Sequence, residues 1–477
     1  MPVSNGRGPS APISRGGPPG ARRRVAPLLA GALLAGCVSY RPAPLDPAEV
    51  LRDLEHLSWT AAVADSGSGY TPRQLAALAV THQPELRVLR AELGVARARL
   101  VEAGRLPDPE LGWDAMDAVA AAIAGGDPGS QEVVSGLGVM FPLLRPGEGD
   151  ALTGAAEWRR VAALRRVLTA EWELTRDVHL ACEAVVAAER RRDQTAELTE
   201  LAGSTDAYFR RARNAGAATA IQANLAAGQL QALRLDAVAA DAALERARQS
   251  LNALLGLPPS LELRIAVDEQ ASSAPELERT TAQLLAHAVE VRPDLAELLA
   301  RYQAAEQEVR LAVARQFPLV AVGTGIRVTP GWFSGFGRPA IGTALARREQ
   351  LRVELRALVH RVRREIAAAR ARWETARREL EVLETGLLPN AESTLELSRA
   401  AFAAGEMTLL ESLALQRSLV EARTRHTEAR AELAESAWVL RSAAGLLLAP
   451  ANPNPPPAGR SAGATATARH EPGTSPR

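Results

Sequence analysis

Few residues in this 477-residue chain are placed to do covalent or acid–base chemistry. One is Cys37, which ends the run Leu34-Ala35-Gly36-Cys37 behind an apolar stretch. A thiol there is a nucleophile that can carry an acyl group. Another is Glu411, three positions after Thr408, matched by Gln222 three positions after Thr219. The T-x-x-Q/E spacing is a capping box, and it sets a carboxylate or an amide at a helix start. Patterns that build catalytic or metal centres are missing: there is no H-E-x-x-H, C-x-x-C or G-x-x-x-x-G-K-[ST]. The histidines, at 56, 82, 179, 287, 360, 426 and 470, are scattered and form no ligand-like cluster. Cys182 stands one helical turn after Val178 and reads as a core position. Gly335-Phe336-Gly337 lacks the third glycine of a phosphate loop and reads as a turn at a membrane edge. No catalytic residue, cofactor or metal site is expected, so the chain does not read as an enzyme.

Composition narrows the classes further. There are 56 basic residues, all arginine, and 55 acidic ones, for a net charge of +1, which gives no field for nucleic acid. Apolar residues make up 47% but aromatic ones only 4%, a balance that suits alanine- and leucine-rich helices. Two cysteines exclude a disulfide scaffold. Arg22, Arg23 and Arg24 precede an apolar run from Val25 to Gly36, too short to cross a bilayer of about 30 Å. A basic patch, a short apolar run and small residues make a signal segment over 1–36. The residues at its end resemble a bacterial lipobox, with Cys37 as the acylated first residue of the mature chain. The stretch before the arginines exceeds what a signal needs and suggests a later start codon. Residues 37–70 read as an acylated tether and short helix, extended by Pro42, Pro44 and Pro47. Residues 449–477 read as a disordered tail.

The rest is two copies of one plan. Pro84 and Pro293, Pro109 and Pro318, and Leu86 and Leu295 all stand at an offset of 209. Further on, Gly216 and Gly405, and Gly256 and Gly445, stand at an offset of 189, so the second copy is shorter by the difference. The loss falls between Val320 and Pro339. The first repeat is expected over 71–262: a helix, a β-hairpin at 109–142, a long helix at 151–213 and a return helix at 219–255. A linker covers 263–280. The second repeat covers 281–448: a helix, a short β-hairpin at 317–338, a long helix at 340–402 and a return helix at 408–444. Leu351, Leu355, Leu358, Val362 and Ile366 form one apolar stripe of the second long helix. Sixty-odd helical residues reach roughly 95 Å, far beyond an ordinary globule, and imply a coiled or tubular assembly.

Strands are expected at Leu111–Ala124 and Val133–Phe141, flanking a Gly-Gly-Asp-Pro-Gly turn. In the second copy, Phe317–Val328 reads as one strand and Trp332–Gly337 as a short return, its aromatics suited to a membrane interface. Four strands cannot close a barrel alone. An open edge in lipid strands backbone groups at several kcal/mol each, so several chains must join.

The lipobox, the duplicated helix–hairpin–long-helix units and the glycine-marked tips together resemble the TolC-type outer-membrane efflux protein family. The resemblance covers about residues 45–448. Pro-Glu-Leu and Pro-Asp-Leu, Phe141-Pro142-Leu143 and the run Ala404–Gln416 carry it. It implies a mainly α fold with a small membrane β part: duplicated long helical hairpins forming a trimeric α-helical periplasmic barrel, plus a trimeric transmembrane β-barrel with four short strands per chain. It also implies a passive export channel in the outer membrane, served by an inner-membrane pump and a periplasmic adaptor (membrane-fusion) protein. On it, the tips Ala215, Gly216, Ala217, Ala404, Gly405 and Glu406 dock the adaptor, and Glu411 and Gln222 stand at a tunnel gate. Two departures matter. The second hairpin is short, and Asp114 and Asp117 in the first must face a lumen. A lipid-anchored periplasmic scaffold, or a non-conducting family member, is the alternative.

Overall fold

The computed structural model describes residues 40–55, 69–113, 137–266, 275–323, 326–329, 332–404 and 406–447. Cys37, Gly405, the hairpin segment 114–136 with Asp114 and Asp117, and the tail lie outside the described residues. The chain divides into two units, Met1–Ser58 and Trp59–Arg477. The first holds helix α1 (Pro47–Glu55), opened by Asp46, whose carboxylate accepts the Ala48 N–H at 2.9 Å.

In the second unit come α2 (Pro72–His82), α3 (Pro84–Ala103), β1 (Glu110–Trp113), β2 (Leu137–Leu143), α4 (Glu148–Asn214) and α5 (Ala220–Leu255). A short 3-10 turn, Pro275–Glu278, leads to α6 (Thr281–Val291), α7 (Pro293–Ala314), β3 (Leu319–Gly323) and β4 (Ile326–Thr329). Then follow α8 (Arg338–Val382), α9 (Leu388–Ala403) and α10 (Leu409–Ala443). Helices α2 to α5 and α6 to α10 repeat the same order around one hairpin each.

Local sequence explains the starts. Pro84 and Pro293 open α3 and α7, where a missing N–H costs nothing. Thr71 and Thr280 close capping boxes with Gln74 and Gln283 at the heads of α2 and α6, again at the offset of 209. The cores also match. Leu174, Val178 and Val185 of α4 pack with Leu75 and Ala79 of α2 and with Leu251 and Leu255 of α5. Val362, Ile366 and Trp373 of α8 pack with Leu284 and Ala288 of α6 and with Leu440 and Ala444.

The structure departs from the sequence expectation in two places. The second long helix runs helical from Arg338 to Ala403, but a π turn at Leu383–Leu387 interrupts its α ladder between α8 and α9. Its cause is a register change. Val178 and Ile366 occupy matching core places at an offset of 188, whereas the tips match at 189. The extra position is absorbed as a wide turn, which keeps Leu395 and Ser398 buried below it. The second departure is at the short hairpin. Both of its strands lie within 319–329, and Trp332–Gly337 is a kinked turn rather than a return strand. Gly335, Phe336 and Gly337 have φ of 63°, 54° and 70°, which extended backbone excludes.

Candidate functional site

The four strands form one antiparallel sheet in the order β1-β2-β3-β4. Strand alternation and register give it two unlike faces. Val139, Phe141, Leu143, Val320, Val322, Ile326 and Val328 share one face, and Phe141, Leu143, Val322, Ile326 and Val328 are exposed. Glu110, Met140, Pro142, Leu319, Ala321, Arg327 and Thr329 share the other, where Arg327 reaches Glu110 across the sheet at 3.5 Å. An exposed face of large apolar side chains, opposite one that carries the charged pair, is the pattern of a membrane strand. Gly323 is obligatory in this sheet, because any Cβ there would strike the Val139 carbonyl. With 5 and 4 residues, β3 and β4 span only about 17 and 14 Å, below the apolar band of about 25 Å.

Helices meet the sheet through Glu148. Its carboxylate accepts from Arg145 at 3.0 Å and from Arg315 at 2.9 Å, joining both repeats under the strands. Burial pushes this carboxyl upward, but the hydrogen bonds from Arg315 and Arg145 outweigh it and hold it below the ordinary range. Lower down, Arg292 is buried against Asp294 (2.8 Å), Glu365 (3.0 Å), the Ala443 carbonyl and the Trp172 ring. It ties α4, α7, α8 and the end of α10. His179 stacks on Trp438 at 3.9 Å where α4 meets α10. Cys182 is buried, and burial with the nearby Glu183 pushes its thiol up to about 12, so it is an inert core residue. Among the described residues no group of His, Cys, Asp and Glu could hold a metal ion. Nor is any described helix long and apolar enough to cross a membrane.

The tips have one geometry. Gly216 takes φ 75° after α4, and the Ala217 N–H returns to the Ala212 carbonyl at 2.8 Å. In the second copy the Glu406 N–H returns to Ala401 at 2.9 Å. Ala215, Gly216, Ala217, Ala404 and Glu406 are all exposed. Both capping boxes are formed. The Gln222 amide oxygen accepts the Thr219 N–H at 2.8 Å, and the Glu411 carboxylate accepts the Thr408 N–H at 2.8 Å and its hydroxyl at 2.7 Å. These bonds, backbone first, hold Glu411 below the usual carboxylate range.

Sequence reasoning missed the open edges. Near the strands the helices lie side by side as α3, α4, α7, α8, and toward the tips as α5, α4, α10, α9. Among the described residues the first repeat forms one edge at every level (β1, α3, α5) and the second the other (β4, α8, α9). Exposed apolar residues mark both: Val88, Val95 and Val101 on α3 and Ile221, Leu225, Leu235 and Val238 on α5, against Leu345 and Val353 on α8 and Leu397 on α9. The inner seam shows what such an edge accepts. Gly154 of α4 lies against Gln307 of α7, with only 3.2 Å between an added Cβ and that side chain. Its counterpart in the core register, Gly342, meets nothing within 4 Å. Duplicated glycines were the signal, legible only once the register that pairs Val178 with Ile366 is known.

Residues 75–257 match the family model described as outer membrane efflux protein. That match spans the first repeat, and over most of the chain the fold is that of solved outer-membrane channels. The outer-membrane channel OprN is 19% identical, over 86% of this chain and 98% of its own, with a TM-score of 0.66. The CmeC outer-membrane channel of Campylobacter jejuni is 15% identical, over 86% and 94%, with a TM-score of 0.64. The outer-membrane protein VceC of Vibrio cholerae is 17% identical, over 78% and 96%, with a TM-score of 0.63. No curated protein matches the sequence. This family and these neighbours are channel proteins, not enzymes.

Proposed function

We propose that this protein is the outer-membrane channel of an efflux or type I secretion system, built as a homotrimer. The observation that carries the reading is the pair of unlike edges, one from each repeat, in the sheet, in the upper helices and toward the tips. A strip with unlike edges joins head to tail, and a ring is the closed solution. Three copies give twelve strands in the outer membrane and twelve helices lining a periplasmic tunnel. The apolar sheet face then meets lipid, and the face with Arg327 and Glu110 lines the pore. An acyl chain on Cys37 anchors the amino terminus in the same membrane.

The bare backbone at Gly216 and Gly405, flanked by Ala215, Ala217, Ala404 and Glu406, offers a periplasmic adaptor a close approach. An inner-membrane pump supplies the energy, and substrate crosses passively. Glu411 and Gln222 stand just inside the tips as gate candidates, each already engaged in its helix cap. One observation favours a second reading. Strands β3 and β4 reach only part way through an apolar band, which fits a lipid-anchored scaffold or a non-conducting member as well. Purified protein in planar lipid bilayers separates the two. Stepwise conductance is expected of the channel. A membrane-bound protein that never conducts would leave the scaffold.

A further inference from the structure

We propose that the π turn Leu383–Leu387 is a hinge for the second tip, and that the pair Glu384–His426 is the strut that restrains it. Three independent observations meet there. The register between the repeats changes from 188 to 189 across this segment, so one position is surplus to the helical ladder. The turn has no buried residue, whereas the matching stretch of α4 buries Thr195 and Leu198, the latter against Leu230 and Leu233. And the sequence weakens the helix at this point. Pro389 has no N–H to give and its ring crowds the carbonyl four positions back, that of Thr385. Gly386 adds backbone freedom. The wide turn relieves the proline clash, and a bend there breaks few contacts.

Ion pairs cross the helix seams on either side. Above the turn, Arg372 of α8 holds Glu432 (2.7 Å) and Glu435 (3.3 Å) of α10. Below it, Arg423 of α10 holds Glu392 of α9 at 3.2 Å and Glu197 of α4 at 3.5 Å. At the turn itself Glu384 Oε1 lies 3.1 Å from His426 Nε2, a side-chain hydrogen bond from the π turn to α10. The Thr385 hydroxyl donates to the Glu381 carbonyl at 2.7 Å, occupying an acceptor beside the disturbed ladder. The first hairpin has no such turn, because α4 runs unbroken from Glu148 to Asn214. The two tips therefore differ in stiffness, and the one bearing Glu406 and Glu411 is the pliant one.

Hydrogen exchange on the full purified chain in detergent tests this, and it reads the hinge whether or not the protein conducts. Amides of 386–388 and 390–392 are expected to exchange at least tenfold faster than those of 197–203. His426→Leu is expected to speed 384–392 a further threefold or more without changing 345–375. Pro389→Ala is expected to slow the same amides, which keeps the test decisive should His426→Leu misfold. Equal protection in the two long helices, or no response at 384–392 to either substitution, overturns the proposal.

Discussion

Arg301 of α7 and Glu354 of α8 lie 3.8 Å apart, and they repeat, with charges exchanged, the 3.3 Å pair of Glu92 and Arg166. Glu92 precedes Arg301 by 209 and Arg166 precedes Glu354 by 188, the two offsets that relate the repeats. The seam between helices kept its geometry while its charges changed sides. Reversing one charge, as in Glu92→Arg, is expected to destabilise by about 0.5 kcal/mol, because the pair is largely exposed. Adding Arg166→Glu should recover that loss. Thermal melts of the two variants read it directly, and a double variant as weak as the single one would mean that the pair is incidental.

The same comparison finds a place where the first copy is under-packed. Leu351 is buried with Leu298 and Ala305 in the second seam, and its counterpart in the first copy is Ala163. Beside Ala163 lies an open groove of about 940 Å³, lined by Val95, Ala96, Leu152 and Ala156 and also by Glu92, Arg99 and Arg159. Ala163→Leu is expected to raise stability by about 1 kcal/mol, since it adds buried apolar area without displacing a neighbour. A lower melting temperature would show that the groove is already needed by something else.

Glu148 gives a pH dependence with a definite sign. Its folded carboxyl is held below the ordinary range, so it contributes stability at neutral pH that disappears as pH falls through that depressed value. Glu148→Gln is expected to cost about 1–3 kcal/mol near neutrality, because two arginines lose a buried charged partner. The difference from the parent should narrow below about pH 4. A constant difference from neutral to acid would assign the loss to packing.

Much of this was legible before any coordinates. The T-x-x-Q/E spacing placed the starts of α5 and α10, because an oxygen three positions from the cap has one geometry. Pro84 and Pro293 placed α3 and α7 for an equally local reason. The hairpin at 319–329 was not legible, since a short apolar run with glycines reads as one strand as easily as two. The π turn was hidden too. Its surplus position appears only when core places such as Val178 and Ile366 are matched in space. The open edges are invisible in sequence, where Val95 or Ile221 looks like any other helical apolar residue.

At the tips, Gly216→Trp and Gly405→Trp are expected to abolish export while leaving assembly intact. Gly216 has no neighbour within 4 Å, but its φ of 75° strains a residue with a Cβ, so Gly216→Ala, strained without bulk, serves as the backbone control. Export by the tryptophan variants at the parent's level would remove the tips from the docking surface.

The central claim is that identical chains close a wall edge to edge. If Gly342 receives the next copy's α3 as Gly154 receives α7, the residue opposite it is Ala98, the counterpart of Gln307 at the offset of 209. Ala98→Cys with Gly342→Cys, oxidised in the outer membrane and run without reductant, is the direct measurement. Covalent dimers and trimers, with nothing larger, are the expected result. A band that stays at the mass of one chain would contradict the account.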